Sequence, residues 1–200
     1  MTRLPLPLRP LMAATLALSL ATACTPASNS NQPTAPESGA EQGVDPDQAM
    51  ALALTGEGLF LVEVETGSTT LLPFGMEMAT VQSAVADLLG NPETVSANEE
   101  CPGDPFVSAL WADGLVLNAD GEAFVGWSVR PEMGSDQFTT LAGVGVGSSR
   151  QDLEAVYTVE VFESTLGTEF IAGELAGLLS DPAADAEITN FWAGTVCVFR

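Results

Sequence analysis

The sequence predicts an α+β domain, with short helices on one face of an antiparallel sheet and a weak tandem repeat in the chain. Three observations lead there. Amphipathic stretches at 80–89 and 149–157 are each followed by apolar, strand-like runs broken at Gly, Asp-Gly and Asp-Pro. FGMEMATVQSAVADLLG stands against VGVGSSRQDLEAVY, and ALWADGLVL against NFWAGTVCVF, which puts Trp111 and Trp192 in matching places. The repeats run from about 74 to 130 and from about 141 to 200, inside a single domain at 48–200, long enough to bury a core.

The elements follow in order. GLFLVEVE contains a strand at 59–64, a turn at 65–68, and a returning strand at 69–72. Pro73-Phe74-Gly75 breaks that sheet. TVQSAVADLL, 80–89, is a helix: Val81, Val85, Leu88 and Leu89 share a face, Thr80 is the candidate cap, and Gly90 with Pro92 is the stop. Strands at 107–111, 115–117 and 122–129 are joined at Asp113-Gly114 and Asp120-Gly121, both hairpin dipeptides. After a loop at 131–137, a strand at 144–146 leads to a helix at 149–157 with Ser148 or Ser149 as cap. Strand-like pieces at 159–162, 169–172, 175–179, 188–192 and 195–199 complete the chain.

The first 23 residues read as a secretory signal. Arg3 and Arg9 precede a ten-residue apolar run, LMAATLALSL, and small residues follow at Ala21-Thr22-Ala23. The run is shorter than the roughly 20 residues a membrane span needs. Ala21-Thr22-Ala23-Cys24 fits an ordinary cleavage site and also resembles the bacterial lipobox, although Leu20 sits one position before the usual leucine. Residues 24–47 are rich in Ser, Asn, Pro, Thr and Gln, a composition that makes a tether and not a core. A cysteine before such a tether marks Cys24 as the expected lipid attachment site; the alternative is a secreted protein with an unpaired Cys24. The two remaining cysteines, Cys101 and Cys197, form an even pair in an exported chain and read as a disulfide.

All five basic residues are arginines. Beyond the signal, Arg130, Arg150 and Arg200 face all 27 acids, a formal charge of −24. No basic footprint for nucleic acid exists, and adhesion to anionic lipid is equally disfavoured, so the membrane partner is reached through lipid on Cys24.

A glycine before a short helix, the stop Leu89-Gly90-Asn91-Pro92, then a Trp-bearing strand and a hairpin resemble small bacterial envelope lipoproteins. Proteins of this kind include the small lipoprotein of the outer-membrane assembly machine and the tandem-repeat β-lactamase inhibitor protein. The resemblance covers 74–129 and, less closely, 141–200. It implies a module that binds other proteins and does no chemistry, with an envelope protein as partner. The hairpin at 59–72 and the Cys101/Cys197 pair depart from that pattern.

The chain lacks two of the residue types that most often carry catalysis. With no histidine and no lysine, Ser-His-Asp, Cys-His, Ser-Lys and Schiff-base mechanisms are excluded, and zinc loses its commonest ligand. Gly143 to Arg150 looks like a phosphate cradle, but the G-x-G-x-x-G pattern would need glycine at Ser148. Asn118 to Glu122 and Asp181 to Glu187 hint at calcium without completing the twelve-residue loop. Glu163, Glu169 and Glu174 are the candidate carboxylates for glycan hydrolysis. Trp111, Trp127 and Trp192 are either core or an exposed partner surface. The expectation is an exported, lipid-anchored interaction module, on the outer side of the cytoplasmic membrane or in the periplasm or outer membrane. It is not expected to be an enzyme or to hold a metal or cofactor. A small-ligand or calcium-binding protein is the alternative, and a carboxylate-only glycan hydrolase a more distant one.

Overall fold

A computed structural model describes residues 50–101 and 105–197. The signal, Cys24 and the tether lie outside the described residues, and those described belong to one unit, Val44–Arg200. The chain opens with β1 (Met50–Thr55), β2 (Gly58–Glu63) and β3 (Thr69–Pro73), an antiparallel meander. α1 (Met78–Leu89) leads into β4 (Thr94–Ala97), β5 (Phe106–Leu110), β6 (Leu115–Asp120) and β7 (Ala123–Val129). The two-residue β8 (Thr139–Thr140) pairs parallel with β1 and completes a four-stranded sheet, β3-β2-β1-β8. α2 (Arg150–Val156) then leads into β9 (Glu160–Ser164), β10 (Gly167–Ala172), β11 (Leu175–Leu179) and β12 (Ile188–Gly194). The two later meanders share one eight-stranded sheet, β4-β5-β6-β7-β12-β11-β10-β9, seamed by the antiparallel β7–β12 pair.

This corrects the expected fold. The protein is mostly β, with twelve strands and two α-helices among the described residues, and it is not a repeat of sheets covered by helices on one face. The physical reason is area. α1 contributes Met78, Val81 and Val85 as buried residues, and the seven-residue α2 contributes only Leu153. Two short helices cannot cover eight strands, and the four-stranded sheet shares the task. Its Leu52, Leu54, Leu59 and Leu72 join Leu117, Trp127, Val129, Phe170 and Phe191 in one core. The Trp127 indole donates to the Thr55 carbonyl at 2.8 Å and ties the large sheet to the β1–β2 turn.

The repeat also fails where it was most specific. Trp111 lies in the core and donates its indole N–H to the Gly90 carbonyl at 2.8 Å. Trp192 lies on the opposite face of the large sheet, in register with Ser128. Local corrections follow the same logic. Thr80 is inside α1 and makes no cap; Glu77 holds that position. No strand forms at 144–146. β12 runs on through Ala193-Gly194 where a break was expected, and residues 195–197 are not a strand. β1 and β4 were not foreseen. The hairpins at Asp113-Gly114 and Asp120-Gly121, the 2–3 hairpin and the Ser149 cap are as the sequence indicated. No helix among the described residues is long and apolar enough to cross a membrane.

Candidate functional site

Strand alternation divides the large sheet into two faces. Leu115, Leu117, Trp127, Val129, Phe191 and Ala193 point to the core. The other face presents two registered rows. One is Ser108, Asn118, Gly126 and Gly194; the other is Val116, Ser128, Trp192 and Ala176. After β12 the chain turns back across this face as a strap. Thr195 donates its N–H to the Val125 carbonyl at 2.8 Å. Gly126 lacks a side chain where the Thr195 backbone passes, and a Cβ there would overlap the Thr195 carbonyl. The described part of the strap reaches Cys197, bonded to Cys101 in the β4–β5 connection, with Cα atoms 5.5 Å apart. This disulfide was legible in the sequence; that it pins a strap over a sheet face was not.

Beneath the strap is a cavity of about 150 Å³. Ser108, Val116, Asn118, Ser128, Leu178, Asn190 and Trp192 form its floor, Val196 and Cys197 its roof, and Arg130 and Leu166 part of its border. Asn118 is buried, and its Oδ1 accepts from Ser108 Oγ at 2.7 Å.

A second concavity, about 530 Å³ and more open, lies between the β1–β2 turn, β8, the end of α2 and the β10–β11 turn. Leu54, Phe60, Leu141, Val156, Tyr157 and Leu175 supply its apolar wall, and the charged residues of its described lining are Glu57 and Glu174. Leu141 and Val156, both in this lining, remain 60% and 49% exposed.

The other sequence candidates are dispersed. Glu163 accepts from Thr168 Oγ1 at 2.8 Å, whereas Glu169 is buried on the opposite face of the sheet and Glu174 sits at the far turn. No glycosidase pair is assembled from them. Arg150, at the end of the cradle-like stretch 143–150, is spent on Glu154 (2.7 Å) and the Pro182 carbonyl (2.6 Å). In the 181–187 loop, Asp181 accepts from the Ala183 N–H at 2.7 Å, an ordinary turn contact. No group of three potential metal ligands gathers among the described residues. Trp111, Trp127 and Trp192 are all buried, so no tryptophan patch faces a partner. No protein-family model, curated protein or solved structure matches this chain.

Proposed function

We propose that the protein is an exported, lipid-anchored binding module, held off a membrane through Cys24 and its tether, that docks a protein partner in the open apolar cleft. The observation that carries this reading is that two exposed apolar side chains, Leu141 and Val156, line one concavity together with Phe60 and Tyr157. Apolar surface of this kind gains free energy when a partner covers it, at about 25 cal/mol per Å². Glu57 and Glu174 at its margin select the partner's charge. The complementary ligand is an apolar segment flanked by Lys or Arg. The chemistry absent from the sequence supports binding over catalysis.

The test places a photo-crosslinking amino acid at position 141, and at exposed Val64 as a control, in protein on its native membranes. One discrete adduct from position 141 alone, lost in Val156→Asp, is the expected outcome. No adduct, or equal adducts from both positions, would overturn the docking assignment. Intact mass of the same material reports the anchor: a chain beginning at Cys24 with two or three acyl chains supports it, and a lipid-free mass refutes it.

A further inference from the structure

The geometry points to a second, separate site: the cavity under the strap binds a small carboxylic acid with a short branched apolar group. This rests on different residues from the docking cleft and does not depend on it.

The chain has 27 acidic residues, yet the described lining of this cavity has none and contains an arginine. The Arg130 guanidinium makes no ion pair or hydrogen bond among the described residues, although Arg150 has found both. A guanidinium left without a carboxylate in so acidic a chain is available to one brought by a ligand, and its planar fork matches that group in two hydrogen bonds.

The remaining polar atoms fit the same ligand. With Asn118 Oδ1 engaged by Ser108, the amide presents Nδ2 as a donor. The side chains of Ser128 and Asn190 make no hydrogen bond among the described residues and add a hydroxyl and a further amide. Donors therefore outnumber acceptors around the space. Glu169 neighbours Leu178 in register but does not line the cavity.

The apolar walls set the rest of the ligand. Val116, Leu166, Leu178 and Trp192 provide contact for a hydrocarbon group. A cavity of about 150 Å³ holds a molecule the size of benzene, roughly six non-hydrogen atoms. The one guanidinium of the described lining suits a monovalent carboxylate; a phosphate would call for more cations. The roof is the strap, pinned by Cys101–Cys197, so occupancy depends on the disulfide.

The experiment is an NMR titration of the oxidised, isotope-labelled protein with isobutyrate, and with isobutyramide as the uncharged match. The expected result is saturable shifts of the Asn118 and Asn190 side-chain amides and the Trp192 indole with isobutyrate, and at least tenfold weaker binding of the amide. Arg130→Met, at an exposed position, should weaken isobutyrate about tenfold or more. Ser128→Leu, which fills the floor, should abolish the shifts while the disulfide stays closed. Equal response to both compounds, shifts confined to Arg130, or no shift at all would each overturn the proposal. A hexapeptide ending in valine presents the same carboxylate on a chain end; its binding in place of isobutyrate would overturn the assignment to a free acid.

Discussion

Gly126, Trp127 and Ser149 show how single residues set this structure. Gly126 is buried with the Thr195 carbonyl where its Cβ would be. Gly126→Ala should therefore displace the strap and cost about 1–3 kcal/mol in urea denaturation, with faster hydrogen exchange at the Thr195 amide. Trp127 fills the space between sheets and donates to Thr55. Trp127→Phe removes both volume and donor, and a loss of about 2–3 kcal/mol is expected in the same measurement. The Ser149 hydroxyl and backbone N–H donate to the Asp152 carboxylate at 2.6 and 3.1 Å, and the hydroxyl first, the backbone next, hold Asp152 below its ordinary 3.8. A carboxyl depressed in the folded state adds stability that is fully present above 3.8 and is lost as pH falls through the folded value. In Ser149→Ala, carboxyl-detected NMR should find Asp152 titrating nearer 3.8. A serine cap was legible because Ser148 and Ser149 precede the amphipathic run, and the reciprocal bonds with Asp152 decide for Ser149. The role of Gly126 was not, because its requirement comes from a backbone 69 residues away.

At the scale of elements, local punctuation was readable and cover was not. Gly90 after α1, the Asp-Gly turns and the 2–3 hairpin act through neighbouring residues, and sequence carries such signals directly. β4 shows the opposite case. Its four residues are all exposed, with no buried side to impose a pattern, and pairing with β5 alone makes it a strand. The strap was misread as a strand because Thr-Val-Cys-Val-Phe has strand composition, whereas the described part, 195–197, crosses the sheet face without pairing as a strand. The disulfide that holds it spans 96 residues, a loop whose closure contributes about 4–5 kcal/mol at most. Denaturation of the doubly substituted Cys101→Ser, Cys197→Ser chain should show a loss approaching that value. Thr195 exchange should quicken before the core opens; simultaneous opening would mean that the strap is integral to the core.

The whole molecule is governed by charge and by which sheet covers which. With −24 formal charges beyond the signal, folding concentrates like charges. Raising ionic strength from 0.01 to 0.15 M shortens the screening length from about 30 to about 8 Å. A gain of about 1 kcal/mol, seen as a few degrees in Tm, is the expected calorimetric outcome; no change would mean that the acids are already well separated. Of the two concavities, neither was visible beforehand. The cleft joins residues from 54 to 175, and the strap cavity joins residues from 108 to 197. Sequence by itself determined the acidic balance, the absence of histidine and lysine, the cysteine pair, the turns and most of the strands. These depend on composition or on neighbours a few positions apart. Tertiary structure alone decided that the fold is mostly β, that a second sheet supplements two short helices, and that Trp111 and Trp192 occupy opposite faces. It also decided that a pinned strap roofs a cavity whose described lining holds no acid. Each of these depends on area to be covered and on contacts between residues distant in the chain, and no local pattern encodes either.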